Sequence, residues 1–501
     1  MGYEHIAAVD LGSNSFRLQI GRVVDDQIYP LDNLKESVRL AAGLGLDRLL
    51  DVESRDRALA ALKCFGERLR GFSPGAVRAV ATNTFRVAKN AREFLPMAEE
   101  ALGFPIEIIA GREEARLIYV GATHAIPNPE RRQLVVDIGG GSTEFIVGQA
   151  FDPIELESLY MGCVGYSNRY FPNGDVDRKA LKEAELAASR ELVAIRETYL
   201  AVGWDRAVGS SGSAKSLLDV MQYFGFAQDQ ITLDGLERIK TLVVKAGNLK
   251  RAELPVKADR QPVFLGGLAI MAAVFKAFEL ESMIYSDGAL RLGVLYDLLG
   301  RYHHADLRDA TIHQFMRRYG VDARQAARVR DTALGLLVQL IPEASGEDDM
   351  NARFLQWAAL SHEIGLSVAH TGYHKHSAYI LANADMPGFS RMDQARLSRL
   401  VLAHRGKLER ALPLEEHSTD WVLILCLRLA VLLHRSRDNH VLPRLTASLD
   451  KGAFVITADS GWLRGAPLTA GALAEESRLW QQAGRPLKLR ARSGGRLLDT
   501  V

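Results

Sequence analysis

The chain has 501 residues, of which 48% are hydrophobic and 25% are charged, and its formal net charge is +1. This length suggests about three or four globular domains, and the near-neutral charge excludes a general attraction for nucleic acid or an anionic membrane. The three cysteines form no CxxC pair, which argues against a disulfide framework and a thiolate metal site. The longest apolar run, Trp421–Leu433, is too short for a bilayer, and the chain opens without a signal-peptide pattern. We therefore expect a cytoplasmic protein with no integral membrane association and no nucleic-acid partner.

The spacing of apolar residues predicts alternating strands and helices in the first three-fifths of the chain. In chain order the predicted elements are two or three strands within 6–30, a helix at 54–71, a strand at 76–82, a helix at 90–102, a strand at 105–110, a helix at 111–125, a hairpin at 134–149, a strand and turn at 154–165, helices over 178–200, a strand–turn–helix at 207–217, a helix at 266–278 and a strand–turn–helix at 282–299.

The pattern changes near residue 300 and becomes almost wholly helical from Asp306 to about Arg437. A surface loop is predicted at 342–351, and two strands, 453–457 and 486–490, follow in the last segment. These changes in pattern predict four domains. Their boundaries are 1–125, 126–303, 304–438 and 439–501.

A duplicated hairpin is the most informative motif. AVDLGSNSFRLQIG at 8–21 and VVDIGGGSTEFIVG at 135–148 each read as apolar strand, aspartate, Gly/Ser turn and second strand. The matched residues are Asp10 with Asp137, Gly12 with Gly139, Ser15 with Ser142 and Gly21 with Gly148. Successive N–H groups in such a turn form a concave anion site, and the aspartates suit Mg²⁺, which prefers oxygen ligands. Two such hairpins facing one another would grip a chain of phosphates.

A third Gly/Ser turn lies in AVGSSGSAKSL at 207–217, between a predicted strand and a helix start. The N-terminus of a helix is itself an anion site. We consider a direct ligand role for Gly209, Ser211 and Gly212 and an ordinary helix-capping turn as equal alternatives.

Six ordered blocks resemble the exopolyphosphatase and guanosine pentaphosphate phosphohydrolase family: DLGSNSFRL, ATNTFRVAKN, GREEARLIYVGA, VVDIGGGSTE, GSSGSAKSL and DGALRLGVLYDLL. The resemblance implies an α/β fold with the duplicated two-lobe architecture of actin, Hsp70 and sugar kinases, followed by an all-α HD-like domain and a small α+β C-terminal domain. It implies removal of the terminal phosphate from inorganic polyphosphate, or of the 5′ γ-phosphate from pppGpp, by a homodimer. Mg²⁺ is the expected cofactor, with K⁺ left open as an activator.

The resemblance assigns the general base to Glu114, which matches the second glutamate of the family's Glu-Glu-Ala-Arg motif. Asp137 and Glu144 are the expected Mg²⁺ ligands, while Asp10 either binds metal or holds its turn. The first repeat has Arg17 where the second has Glu144, so we expect Arg17 to pair with a phosphate, which its planar fork suits.

The remaining candidates are the phosphate-binding turns and the local cations that a near-neutral chain needs. They are Ser13, Asn14 and Ser15, then Gly139, Gly140, Gly141 and Ser142, and the cations Arg86 and Arg291, with Lys35, Arg39 and Lys215 ranked below them.

Other functions stay open at this point. The same fold permits a small-molecule kinase, and a non-catalytic sensor of nucleotides is a third class. In the helical segment, His362–Glu363 stands where an HD phosphohydrolase has its His-Asp pair, and no clear distant aspartate follows. We therefore expect His370, His374 and His376 to pack the domain or extend the path of a polyanion rather than to hold a dinuclear metal centre.

Overall fold

The computed structural model describes residues 3–24, 27–45, 47–126, 130–302, 306–345, 349–408, 414, 418–439, 442–493 and 496–499. The chain divides into two units, Met1–Asp306 and Leu307–Val501. No helix in the described ranges combines the length and the apolar character needed to cross a membrane.

Strands and helices alternate through the first unit, as the sequence predicts. The strands are β1 (His5–Leu11), β2 (Phe16–Val24), β3 (Gln27–Glu36), β4 (Val77–Ala81), β5 (Ile106–Ile108), β6 (Gln133–Ile138), β7 (Thr143–Gln149), β8 (Asp152–Leu159), β9 (Arg206–Gly209), β10 (Gln230–Thr232) and β11 (Ser282–Tyr285). The helices are α1 (Val52–Arg68), α2 (Asn83–Val87), α3 (Ala91–Leu102), α4 (Gly111–Ala125), α5 (Cys163–Tyr170), α6 (Arg178–Val202), α7 (Gly212–Tyr223), α8 (Leu233–Ala246), α9 (Phe264–Ala277) and α10 (Leu290–Tyr302).

Two sheets with matching strand order form the first unit. The first sheet has the order β3-β2-β1-β4-β5, and the second has β8-β7-β6-β9-β11 with β10 added at its edge. In both sheets the first three strands are antiparallel and the next two are parallel to the central strand. This repeated order is the two-lobe actin-like fold, so the fold predicted from the sequence is confirmed.

The duplication extends to an irregularity of the sheets. The register shifts at Gly21 in the first sheet and at Gly148 in the second, and each of these glycines lies opposite a proline on an edge strand, Pro30 or Pro153. A Cβ on Gly148 would lie 2.4 Å from a ring carbon of Tyr119, so the position has room only for glycine. Proline has no N–H for a sheet ladder and is tolerated at edges and bulges. The two halves therefore share their bulges as well as their motifs.

Two helices, α4 and α10, pack together in the hydrophobic cluster that also holds inward-facing residues of both sheets. Glycines allow a close approach between them: a Cβ on Gly293 would lie 1.7 Å from the carbonyl oxygen of Leu117, and one on Gly121 would lie 2.1 Å from that of Ala289. Because α4 carries Glu114 and α10 carries Arg291, this packing holds two of the predicted site residues on rigid elements.

The second unit is helical with a small sheet. Its helices are α11 (Leu307–Arg318), α12 (Ala323–Leu340), α13 (Met350–Ser361), α14 (Tyr373–Asn383), α15 (Arg391–Ala403), α16 (Asp420–Leu433), α17 (Ser460–Gly465) and α18 (Pro467–Gln482). Its strands are β12 (Thr446–Asp450), β13 (Ala453–Asp459), β14 (Leu487–Ser493) and β15 (Arg496–Asp499), in sequential order. One hydrophobic cluster runs from the helices into this sheet.

Two local predictions need correction. The loop predicted over 342–351 begins as a 3₁₀ turn, Pro342–Ser345, and ends in the start of α13, while residues 346–348 lie outside the described ranges. The strand and turn predicted over 154–165 end earlier, because Cys163 starts α5 with its N–H donating to the carbonyl of Gly139. The HD-like assignment of the helical segment and the four domain boundaries stay predictions.

Candidate functional site

A cavity of about 350 Å³ lies in the first unit, where the turns of the two duplicated hairpins meet. Its wall holds most of the predicted site residues: Asp10, Ser13, Asn14, Ser15, Arg17, Glu114, Asp137, Gly139, Gly140, Gly141, Ser142, Glu144, Ser211, Gly212 and Arg291. Residues separated by up to 281 positions in the chain therefore share one cavity, because both turns follow central strands of sheets with the same order.

Arg86, Gly209 and Arg39 are the predicted residues that do not line the cavity; Arg39 contacts the first turn through its backbone N–H, which donates to the carbonyl of Asn14 at 2.8 Å. The Arg86 side chain is buried, and its Nη1 lies 2.7 Å from Glu114 Oε2 and donates to the carbonyl of Ile109 at 3.1 Å. A Cβ on Gly209 would lie 2.9 Å from both Ala214 and Met283, so this glycine serves packing at the end of β9. Arg86 thus holds the carboxylate of Glu114, a role that the sequence pattern did not indicate.

The two hairpin turns touch each other. A Cβ on Gly140 would lie 3.1 Å from the side chain of Ser13 and 3.4 Å from the backbone nitrogen of Asn14. One on Gly141 would lie 2.5 Å from Asn83 Oδ1, so larger residues would force the turns apart. Glycine at these positions allows the backbones of the two turns to approach closely.

The carboxylates of the site are held by different partners. Asp137 Oδ2 accepts a hydrogen bond from Ser210 Oγ, and Glu144 Oε1 accepts one from Ser158 Oγ, both at 2.8 Å. Within the described part of the chain, Asp10 Oδ1 is buried and has no hydrogen-bond partner. A buried oxygen without a donor is unfavourable, so this atom is suited to a ligand that brings positive charge.

Burial changes the acidity of three of these carboxyl groups. It raises the pKa of Asp10 to about 6, with the nearby charges of Arg291 and Arg17 opposing the change. It raises the pKa of Asp137 to about 6, where the bond from Ser210 opposes it and the charge of Glu114 adds to it. The pKa of Glu144 lies well above its ordinary value, first through burial and then through the carboxylates of Glu114 and Asp137. The cluster is therefore short of positive charge.

The carboxylates of the site are suited to Mg²⁺, and they are less suited to a metal ion whose ligands all come from the protein. Among the described residues, no three His, Cys, Asp or Glu side chains converge on one ion position. Mg²⁺ usually takes one or two carboxylates and completes its shell with water and ligand phosphates. The unpartnered Asp10 oxygen and the raised pKa values are consistent with a cation shared between these carboxylates and a phosphate ligand.

Basic residues line the same cavity and could neutralise a polyanion. The pKa of Arg291 is lowered, mainly by burial and next by the positive charge of Arg17. The two guanidinium groups are therefore close enough to repel each other. Arg260 covers the third turn, where a Cβ on Gly212 would overlap its guanidinium. Lys35 forms an ion pair with Asp259. The cations on the wall are Arg17, Lys35, Lys215, Lys257, Arg260 and Arg291.

Several residues of this wall were not predicted from the sequence. Lys257, Asp259 and Arg260 come from a segment without a recognisable motif, between two short 3₁₀ turns. Asn83 stands inside the ATNTFR block, of which only Arg86 was predicted to belong to the site. The signal that could have identified Asn83 is a polar residue two positions after the end of a buried parallel strand.

A buried ion network positions α4. Arg116 Nη2 lies 2.8 Å from Glu113 Oε1 and 2.5 Å from Asp297 Oδ1 on α10. Arg78 on β4 pairs with the same Asp297 at 2.7 Å and with Glu107 on β5 at 3.0 Å. Glu113 and Arg116 lie on either side of Glu114 in α4. Their ion pairs with α10 and the first sheet therefore hold the part of the helix backbone that carries Glu114.

Two histidines of the second unit, His362 and His404, are buried and in ring contact, and His374 is also buried, whereas His370 is exposed and does not pack the domain. His362 is fully buried, its Nδ1 bonds the carbonyl oxygen of Ala359 at 2.7 Å, and its ring lies 5.2 Å from that of His404. His404 Nε2 lies 3.2 Å from the hydroxyl of Tyr373. Burial is the main cause that lowers the pKa of both histidines. Glu363, next to His362, forms an ion pair with Arg437.

Comparison with known proteins identifies the family. Residues 19–302 match the model of the Ppx/GppA phosphatase family, and residues 307–477 match that of Ppx/GppA phosphatase, domain III. The crystal structure of an exopolyphosphatase from Cytophaga hutchinsonii is similar with 25% identity and a TM-score of 0.54, over 59% of this chain and 98% of that one. That of the Aquifex aeolicus member of the Ppx/GppA family has 26% identity and a TM-score of 0.50, over 60% of this chain and 99% of that one. The chain therefore belongs to the Ppx/GppA phosphatase family and is a hydrolase of phosphoanhydride bonds.

Proposed function

We propose that the protein is an exopolyphosphatase that removes the terminal phosphate of inorganic polyphosphate. The observation that carries this proposal is the placement of Glu114: its carboxylate is held by Arg86 on the wall of a cavity that the turns of both hairpins form. Structural similarity to an exopolyphosphatase supports the choice of substrate.

Glu114 acts as the general base in this proposal. It accepts a proton from a water molecule, whose oxygen attacks the terminal phosphorus; the anhydride P–O bond breaks and its electron pair stays with the shortened chain. Orthophosphate leaves as the second product. General-base help of this kind contributes about 10²–10⁴-fold to a rate.

The neighbouring residues hold the substrate. The N–H groups of the turns at Ser13–Ser15 and Gly139–Ser142 surround the phosphates, and Arg17 and Arg291 balance their charge. One or two of the carboxylates of Asp10, Asp137 and Glu144 would hold Mg²⁺, with water and substrate phosphate completing its shell. When bound, the ion would supply positive charge to the phosphate oxygens and to the carboxylates around Glu144.

The 5′ γ-phosphate of pppGpp is the second candidate substrate. The cavity wall includes Tyr285, whose hydroxyl donates to Asp287 at 2.9 Å, and Asp219. An aromatic ring and carboxylates are groups that can stack on guanine and accept its N–H donors. Membership of a phosphatase family and the position of Glu114 favour hydrolysis over a kinase or a sensor.

Phosphate release from long polyphosphate and from pppGpp tests both candidates. We expect Glu114→Gln to lose at least about 10²-fold in turnover while substrate binding is kept. Glu100→Gln, an exposed glutamate on α3, is the matched control and should behave as wild type. Retained turnover in Glu114→Gln would contradict the role of this residue, and the ratio of the two wild-type rates decides the substrate.

The homodimer, the cytoplasmic location, the absence of nucleic-acid partners and activation by K⁺ remain predictions. Three of them have a direct test: sedimentation for the dimer, fractionation for the location and a salt titration for K⁺.

A further inference from the structure

Asn83 is the one residue of the cavity wall whose buried side-chain donor has no partner among the described residues. It follows β4, which runs parallel to β1 with Ala81 opposite Leu11, so the chain after β4 lies beside the first hairpin turn. Only 7% of Asn83 is exposed. Its position is thus determined by the sheet and not by a flexible loop.

The amide of Asn83 is placed between the two turns. Its neighbour Thr84 donates from Oγ1 to Ser13 Oγ at 2.8 Å, which ties this segment to the first turn. Its own Oδ1 faces the second turn, so closely that a Cβ on Gly141 would lie 2.5 Å away. The amide therefore lies against the second turn, in a segment that is hydrogen-bonded to the first turn.

The Nδ2 group is the unsatisfied end of this amide. It is shielded from solvent and meets no acceptor in the described part of the chain. Buried amide groups are almost always hydrogen-bonded. A buried donor without an acceptor destabilises a protein by more than the net stabilisation that one formed hydrogen bond contributes. The side chain therefore keeps a neutral, directional donor on the wall that also carries the carboxylates.

We propose that Asn83 Nδ2 donates a hydrogen bond to a non-bridging oxygen of the substrate phosphoryl group at the junction of the two turns. This inference rests on the proposed function, because it takes the cavity to bind a phosphate chain. The two turns contact each other in this structure, so the proposal requires them to separate for the phosphoryl oxygen to reach Nδ2, as lobes that close on a ligand do. The phosphoryl oxygen is then the acceptor that Nδ2 lacks among the described residues.

Binding of tripolyphosphate by calorimetry, in the presence of Mg²⁺, tests the inference without turnover. The parent protein for these measurements is Glu114→Gln, in which hydrolysis is suppressed. Into it we would introduce Asn83→Leu, which keeps the approximate volume and removes the donor, or Asn83→Ala. We expect each to weaken binding by about 10-fold to 100-fold, the effect of one lost hydrogen bond to a charged group. Asn33→Ala, at an exposed asparagine on β3, should bind as the parent does.

The melting temperature of the ligand-free protein separates binding from structure. A donor without an acceptor contributes no stability, so Asn83→Leu should melt at or above the temperature of the parent, while its stabilisation by tripolyphosphate shrinks. Unchanged affinity in both variants would overturn the inference, and so would a lower ligand-free melting temperature in both. The proposed function fails separately, if wild type releases no phosphate from either substrate.

Discussion

Arg17 and Glu144 occupy the same position in two copies of one hairpin. Arg17 lies opposite Asp10 in the β1–β2 pair, and Glu144 lies opposite Asp137 in the β6–β7 pair. All four side chains line the cavity. The two halves of the fold therefore present the same backbone and the same aspartate to one cavity, but opposite charges beside that aspartate.

This difference between the copies predicts two separable defects. Arg17→Gln should raise KM for substrate about 10-fold to 100-fold, because it removes a charged hydrogen bond to phosphate, and leave the Mg²⁺ requirement unchanged. Glu144→Gln should raise the Mg²⁺ concentration needed for half-maximal activity. A matrix of substrate and Mg²⁺ titrations measures both parameters. The same parameter changing in both variants would contradict this division of roles.

The raised pKa values of Asp10 and Asp137 predict how stability depends on pH in the metal-free protein. Both lie at about 6 in the folded state, above the ordinary aspartate value, so the folded state binds more protons than the unfolded state between about pH 4 and 6. Stability is therefore present at low pH and is lost as pH rises through 6, by about 3 kcal/mol per carboxylate. Mg²⁺ should restore it above pH 6, because it favours the ionised groups.

Thermal unfolding from pH 4 to 8, in EDTA and in Mg²⁺, measures this effect. Asp10→Asn should flatten the pH dependence in EDTA and reduce the gain from Mg²⁺. The same slope in this variant as in wild type would show that Asp10 ionises normally in the folded protein.

The buried network behind Glu114 predicts an order of stabilities. Among the described ion pairs of this network, Arg116→Met leaves Arg78 as the guanidinium that faces Glu107, Glu113 and Asp297, and it should cost about 3–5 kcal/mol, the effect of breaking a buried ion pair. Asp297→Asn leaves Arg78 and Arg116 with Glu107 and Glu113 among those same described pairs and should cost less, about 1–3 kcal/mol. Urea unfolding midpoints compare the two. Lys179→Met, which removes an exposed pair with Glu183, is the control and should change little. The reverse order would mean that charge balance does not govern this network.

Local patterns were sufficient to predict much of the fold and of the site. The helix predicted at 111–125 has the bounds of α4, because its periodicity and the carboxylates of its first turn are neighbours in sequence. The repeated hairpins were recognised for the same reason, and with them Asp10, Asp137 and the Gly/Ser turns that line the cavity.

Roles that depend on packing between distant elements could not be predicted. Nothing near Arg86 in sequence shows that its guanidinium meets Glu114, because that contact requires α2 to lie beside the start of α4. Arg260 reaches the third turn only through the folding of a loop without a motif. Asn83 follows a strand of the first sheet and Gly141 lies in a turn of the second sheet, so their contact depends on how the two sheets pack and has no signal in the local sequence.

The histidines of the second unit yield the last prediction: His362→Ala should leave phosphate release from tripolyphosphate unchanged. His362 is fully buried and engaged with the carbonyl of Ala359, and its lowered pKa keeps it neutral, so it offers no charge to a polyanion at neutral pH. Its loss should lower only the stability of the second unit, through the cavity left beside His404. Phosphate assays and metal analysis of the purified variant check both parts. A collapse of activity together with loss of a bound metal from folded protein would instead show that an HD-like centre takes part in the reaction.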